Sequence, residues 1–404
     1  MAALQIYDPG ERRLVAAADR ALSTVSAVRS LWRPTSPELP PRRILLLRLE
    51  RIGDLLMVLP ALSDVRELAP DAEIDLVVGS WNVPLARTIS AVTRVVPVDA
   101  HWLARATSGQ SLSKLLRQAL SWRQRRYDLA INFEPDIRSN LLLAASGASF
   151  AAGYAAGGGG GLLDRAIEYD PRAHTSATAR ALVAAVFGRR AIGRSGPTLT
   201  IPESARREAA RRLPSSLSEP LVGVHVSGGR AIKQWEPDRF GEVARRLAKA
   251  YGAAIVLTGS PEDAALVATL RSSLRDCRVI DVSGDADLPT LAAILERLDV
   301  FVTGDTGPMH LAGAVGTPVV AIFGPSDPAR YALRGPHDRV VRVDLPCSPC
   351  NRIRRPPERC VGHTPDCLAS VRVESVFEAA VSALTASGAL GGVHAGPARA
   401  RRVQ

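Results

Sequence analysis

Aromatic residues make up only 4% of this chain, so its cores must be built from Ala, Val, Leu and Ile and not from stacked rings. The same scarcity removes the interleaved basic and aromatic platform on which single-stranded nucleic acid stacks, and no DNA-reading motif is present. Nucleic acid is therefore not an expected partner. Lysine is nearly missing as well: Lys114, Lys233 and Lys249 are the only three among 51 basic residues. Arginine is the default cation here, which makes a lysine in a glycine-bearing loop conspicuous as a point charge for phosphate. No apolar run reaches bilayer-spanning length without Gly, Pro or charge, and the first residues lack the basic-then-apolar layout of a secretory signal. The expected location is the cytoplasm.

Cysteine is sparse too. Five occur, and four of them fall as Cys347-x2-Cys350-x9-Cys360-x6-Cys367, leaving Cys277 alone. Thiolates from a tight knuckle and a second limb can close a tetrahedron around a structural zinc. Reduced thiols in a compact loop, or a disulfide under oxidant, are the plainer accounts.

What is present points to a two-domain globular protein, since 404 residues with 46% hydrophobic content can bury two separate cores. The formal net charge of +11 favours anionic partners such as nucleic acid, anionic lipid or a phosphorylated glycolipid, without choosing among them. Across residues 10–33, Leu14, Ala18, Leu22, Val25, Val28 and Trp32 recur at helical spacing among arginines. Such a basic amphipathic helix can lie on an anionic membrane, although packing on its own protein is the commoner use. Pro34, Pro37, Pro40 and Pro41 then end it and form a linker.

From residue 43 the pattern changes. Residues 44–47 are a short apolar run typical of a strand buried on both faces, followed by a turn at Gly53 and a helix to about Leu68. Further strands are read at 74–78, 95–98 and 129–133, with helical stretches between them. Residues 157–161 are read as a flexible glycine loop and not a phosphate loop, because no strand is legible closely before them. The same grammar restarts after residues 214–216, with strands at 221–226, 254–257, 279–281, 300–303 and 319–323. The expected architecture is α/β, with two doubly wound Rossmann-like units whose ligands bind beyond the carboxyl ends of the strands. The domains are placed at 1–40 (extension and linker), 41–215, 216–387 and 388–404, the last a disordered basic tail.

The loops at those strand ends carry the chemistry. Residues 300–314 read as buried strand, tight turn and helix start, a junction that suits an anion. Gly304 and Gly307 let backbone approach a ligand, Thr306 offers a hydroxyl, and Asp305 can accept hydrogen bonds from sugar hydroxyls. A capped helix after a strand would look the same. The other loops are residues 51–54 with Arg51, Gly53 and Asp54, residues 227–233 with Ser227, Gly228, Gly229 and Lys233, and residues 258–263 with Glu262 and Asp263. Asp285 and Asp287 spell a metal-binding DxD pattern but precede Leu288-Pro289, where Asp287 makes a natural helix cap.

Taken in this order, the loops resemble glycosyltransferase family 9, the heptosyltransferases of lipopolysaccharide core synthesis, over roughly residues 43–380. The resemblance implies a GT-B fold and an inverting transferase that moves heptose, or a related sugar, from ADP-heptose or another nucleotide diphosphate-sugar to an anionic glycolipid acceptor. It implies Asp54 as general base, where an ordinary helix cap is the alternative. It implies Lys233 on the donor diphosphate with Ser227, Gly228 and Gly229, which removes the need for a metal cofactor. Glu262 would hold the ribose with Asp263 as competitor, Asp305 the sugar, Thr306 and Gly307 the phosphates, with His310 in support. On the acceptor side Arg51 and Arg138, along with Arg123, Arg125 and Arg126, are candidates for acidic groups, or else solvated helix faces. Work on such an acceptor would place the protein at the cytoplasmic face of the inner membrane. The competing functions are a nucleotide-sugar epimerase of the same fold and a non-catalytic basic protein that binds anions.

Overall fold

The computed structural model describes residues 9–29, 33–103, 109–193, 198–213 and 219–390. Contacts divide the chain into a unit ending at Thr200 and another beginning at Ile201.

In the first unit the apolar run of β1 (Arg43–Leu47) is flanked by β2 (Glu73–Val78) and β4 (Leu129–Asn132). Ile44 lies level with Ile74 on one side and Leu129 on the other. β3 (Arg94–Pro97), β5 (Phe150–Tyr154) and β6 (Arg165–Ile167) complete a parallel six-stranded sheet of order β3-β2-β1-β4-β5-β6. The inner strands are buried on both faces, which is why they read as continuous apolar runs and not as alternation.

The second unit repeats that plan with β7 (Leu221–His225), β8 (Ala254–Thr258), β9 (Val279–Asp281), β10 (Val300–Gly304), β11 (Val319–Ile322) and β12 (Arg339–Val341). Its order, β9-β8-β7-β10-β11-β12, is the first sheet's order again. Each sheet therefore reverses direction once, between β1 and β4 and between β7 and β10. Within a sheet of this kind, the loops leaving the carboxyl ends at such a reversal are the usual ligand position. Trp235 packs edge-on against Phe240, ring centres 4.9 Å apart, and anchors the loop after β7 to the core.

Three strands escape the sequence reading: β5, β6 and β12. β5 is Phe-Ala-Ala-Gly-Tyr, poor in β-branched residues, and is held in place by pairing with β4 and not by propensity. A strand does precede residues 157–161. The loop is nevertheless filled by its own protein: a Cβ on Gly157 would lie 1.8 Å from the Pro135 carbonyl oxygen, and the Gly159 amide donates to Asp19 at 2.7 Å. Asp19 belongs to the amphipathic helix Pro9–Arg29, which buries Val15 against its own unit and leaves Leu14 in solvent, so this helix packs on the protein. Trp32 and residues 391–404 of the expected tail lie outside the described residues.

The boundary between units also falls earlier than the expected 215/216. Helix Glu203–Arg212 packs on helix Leu288–Leu295, with Arg206 paired to Glu296 and Arg212 to Asp285 at 3.2 Å. That helix belongs to the second unit. Among the described residues no helix is long and apolar enough to cross a membrane.

Candidate active site

In the second unit the candidate residues gather at the switch between β7 and β10. The chain leaves β7, turns through Ser227, Gly228 and Gly229, and enters a short 3-10 turn, Ala231–Lys233. Gly229 has φ of +65°, and a Cβ on Gly228 would lie 2.7 Å from the Lys233 carbonyl carbon, so both positions call for glycine. The fold of this loop delivers Lys233 Nζ to Asp305 Oδ2 at 2.7 Å, with the two side chains 16% and 11% exposed. Asp305 leaves β10 one residue past Gly304. Burial works to raise the Asp305 carboxyl, but the Lys233 charge and hydrogen bond, Ser326 and His310 hold it below its ordinary range.

Thr306 caps the following helix, Gly307–Ala314, by accepting from the Met309 amide at 3.3 Å. This is the capped-helix expectation, and the cap takes up the Met309 amide. His310 is buried in that helix beside Asp305. One member of this group was not legible in sequence. Ser326 follows β11 and reaches Asp305, and its signal was the position of its loop at a strand's carboxyl end.

Glu262 and Asp263 sit differently in the turn after β8. Asp263 accepts from the Ser260 amide and hydroxyl at 2.9 and 2.8 Å and also bonds Ser227, so it ties the loop after β8 to the loop after β7. Buried His225 completes this tie through Thr258 at 3.2 Å, its pKa lowered by burial against the pull of Asp263. Asp263 is thus a structural brace. Glu262 stands on the exposed side of the turn.

In the first unit Asp54 lies in helix Ile52–Met57, just after β1. Its Oδ2 accepts from the Arg51 amide at 3.3 Å, which is the cap reading. Its Oδ1 accepts from Arg48 Nη2 at 3.1 Å, while the side chain keeps 30% exposure. Arg48 and Glu134 were missed in sequence, and both are buried. Arg48 Nη1 donates to the Phe133 carbonyl at 2.7 Å and lies 3.4 Å from Glu134 Oε2. Burial works against the Arg48 charge, but Glu134 and then Asp54 outweigh it and raise its pKa. Burial pushes the Glu134 carboxyl up to about 7 against Arg48, with Glu50 and Asp54 adding to the rise.

The arginines proposed for an acceptor divide. Arg51 sits at the start of the Asp54 helix. Arg138 is held by Asp136, Nε to Oδ1 at 2.9 Å, and stacks over Trp102 with its guanidinium carbon 5.0 Å from the ring centre. Arg123, Arg125 and Arg126 precede β4 and so lie at the amino end of a parallel sheet, opposite to Asp54. Arg125 pairs there with Glu73 at 2.7 Å, and Arg123 donates to the Ala145 carbonyl at 3.1 Å. Arg123 and Arg125 are thus held by their own protein, while Arg126 is exposed at that same end.

Asp287 accepts from the Thr290 amide at 2.9 Å as a helix cap, in keeping with its place before Pro289. Cys347, Cys350, Cys360 and Cys367 line one cavity of about 150 Å³ together with Ile232 of the Lys233 turn. Burial, and then the neighbouring Cys350, push the Cys367 thiol up to about 11. All four are free thiols, and among the described residues no group of three or more metal-ligating side chains converges.

A paired lysine, a helix amino end and a glycine turn meet at a doubly wound switch point, in a protein of GT-B type. Residues 115–360 match glycosyltransferase family 9 (heptosyltransferase), and the chain belongs to that family of transferases. It is 26% identical over 326 residues to lipopolysaccharide heptosyltransferase 1 of Pseudomonas aeruginosa, covering 76% of this chain and 86% of the relative. Its identity to lipopolysaccharide heptosyltransferase 2 of Escherichia coli is 24% over 318 residues, 74% and 88% of the two chains. The fold is shared with a family 9 glycosyl transferase from Veillonella parvula, at a TM-score of 0.73 and 24% identity over 85% of this chain and 98% of the other. It is shared too with E. coli ADP-heptose lipopolysaccharide heptosyltransferase II, at 0.67 and 20% over 85% and 99%.

Substituting Gly228→Ala should push the Lys233 turn away from its present path. The expected cost is about 1–3 kcal/mol of stability, read by urea unfolding, together with weaker nucleotide binding. Unchanged stability and affinity would show that the turn has room the geometry denies.

Proposed function

We propose that this enzyme transfers heptose, or a closely related sugar, from ADP-heptose to a lipopolysaccharide-core type of acceptor with inversion at the anomeric carbon. The observation that carries the reading is the Lys233–Asp305 pair beside the capped helix Gly307–Ala314. It combines a cation for the diphosphate with a carboxylate for sugar hydroxyls, in a chain related to lipopolysaccharide heptosyltransferases. In the reaction Asp54 takes the proton from the acceptor hydroxyl as that oxygen bonds to the anomeric carbon. The bond from that carbon to the diphosphate oxygen breaks, and ADP leaves with the electron pair. Lys233 and the amides of the Ser227–Gly229 turn and of the Gly307 helix offset the charge gathering on the diphosphate. Glu262 takes the ribose hydroxyls. Arg51 and Arg138 meet acidic groups of the acceptor. The basic surface suits work on an anionic glycolipid at the cytoplasmic face of the inner membrane.

The test is ADP release when the purified protein meets ADP-heptose and a core acceptor. ADP release only when the acceptor is present separates transfer from epimerisation, which would change the donor alone. Folded protein that turns over neither this nor any other nucleotide sugar would end the reading. Because Lys233 supplies the charge a metal would otherwise provide, excess EDTA should leave the rate within about twofold of the untreated enzyme. A loss restored by a divalent cation would show that a metal carries the leaving-group charge.

A further inference from the structure

We propose that Glu134 is a positioning residue for the transfer: acting through Arg48, it sets the place of the Asp54 carboxylate and how tightly that carboxylate is held. This rests on the reading of Asp54 as the base.

β1 and β4 are neighbours at the reversal of the first sheet, so the segments leaving them lie side by side although 85 residues separate Leu49 from Glu134 in sequence. Glu134 leaves β4 and turns back toward the β1 segment. Its Oε1 accepts from two consecutive backbone amides, Leu49 at 2.8 Å and Glu50 at 3.0 Å. Its Oε2 faces Arg48 Nη1 at 3.4 Å, and its own amide is held by Asn132 Oδ1 at 3.0 Å. Arg48 in turn grips Asp54 twice, Nη2 to Oδ1 and Nε to the backbone carbonyl, each at 3.1 Å. The row Glu134, Arg48, Asp54 therefore runs from a buried carboxylate, through a buried guanidinium, to a partly exposed carboxylate. Glu134 cannot reach a substrate, being 6% exposed. What it reaches is the peptide segment and the cation that hold Asp54.

One cation shared by two carboxylates couples their charges. When Glu134 is ionised, Arg48 divides its charge between two carboxylates and leaves Asp54 freer to meet the acceptor hydroxyl. When Glu134 is neutral, Arg48 pairs with Asp54 alone and holds it more tightly to the protein. The other groups facing this row are Glu50 on the β1 segment, Tyr154 of β5 and Tyr169. Both tyrosines face Arg48, and burial raises Tyr154 well above the ordinary tyrosine range, so it stays neutral through the working range. Burial places the Glu134 transition at about 7, inside that range.

The test is the pH profile of kcat for wild type and Glu134→Gln. The amide keeps a carbonyl oxygen for the Leu49 and Glu50 amides and removes the charge. Wild-type kcat should rise roughly three- to tenfold between about pH 6 and pH 8, while Glu134→Gln stays flat at the low value, with donor KM and ADP affinity unchanged. Amide hydrogen exchange at Leu49 and Glu50 should be as slow in the variant as in wild type, which shows that the segment is intact. A variant with protected amides and a wild-type profile overturns the proposal. So does a variant whose loss of kcat is the same at every pH, because that is a structural effect. Asp54→Asn, assayed alongside, separates the two ideas. If it keeps wild-type kcat the base reading falls and takes this one with it, whereas an inactive Asp54→Asn beside an unaltered Glu134→Gln removes only the role of Glu134.

Discussion

Asp54→Ala lowers kcat about 100- to 10,000-fold and leaves donor affinity near the wild-type value, because a general base acts mainly in the transition state. The structure makes the comparison clean in one respect. Arg48 keeps Glu134 as a partner when the Asp54 carboxylate is removed, so no buried cation is stranded. The substitution does remove the bond to the Arg51 amide, a capping contact worth about 1 kcal/mol. Asp54→Asn retains an oxygen for that amide and should be as inactive as the alanine variant while unfolding at nearly the wild-type temperature. Donor affinity is read by calorimetry with ADP and kcat by ADP release. A parallel fall in both would assign Asp54 to donor binding and withdraw it from proton transfer.

Lys233→Ala has the second large effect, and it acts on a different quantity. Here kcat/KM for the donor should fall about 100- to 1,000-fold, the scale on which a single preorganised group stabilises developing charge. Removing the lysine also strands Asp305, whose side chain is 11% exposed. Breaking one side of a fully buried pair costs about 3–5 kcal/mol, and the remaining exposure at Lys233 and Asp305 places this case at or below the lower end. The two consequences can be separated. Adding Asp305→Asn to Lys233→Ala should return most of the lost stability, because the stranded charge goes, and should return none of the activity. Recovery of turnover in the double variant would show that Lys233 serves only to neutralise Asp305.

The Lys233–Asp305 ion pair bears on donor binding. If Lys233 takes the donor diphosphate as proposed, that diphosphate competes with Asp305 for the same ammonium. Asp305 has Ser326 as a further hydrogen-bond partner and a sugar hydroxyl as a prospective one. Its carboxylate is therefore not left bare when Lys233 turns to phosphate.

Much of this was legible in the chain because it is local. Runs such as residues 44–47 and the sequence of β10 are apolar over a strand's length, and Gly228 marks the turn after β7; the turn expected at Gly53 is instead the first turn of helix Ile52–Met57, and Gly304 closes β10 itself. Apolar run, glycine turn and helix start, repeated down the chain, were enough to locate nearly every loop that carries a candidate residue. They were enough also to read two doubly wound units. β5 was invisible for the same reason that the others were clear: Ala and Gly carry little strand preference, and its pairing partner makes up the difference.

Tertiary structure decided which residues meet. Arg48 and Glu134 come together because β4 lies beside β1, and Lys233 and Asp305 because β10 lies beside β7, neither of which any window of sequence displays. It also separated look-alikes: Asp263 turned inward onto Ser260 and Ser227 while Glu262 stayed outside, and Arg123, Arg125 and Arg126 went to the wrong end of a parallel sheet for the role their charge invited. Periodicity along a chain records which face of each element is buried. The partner across a strand order of β3-β2-β1-β4 is set by how whole elements pack, and that information belongs to the fold.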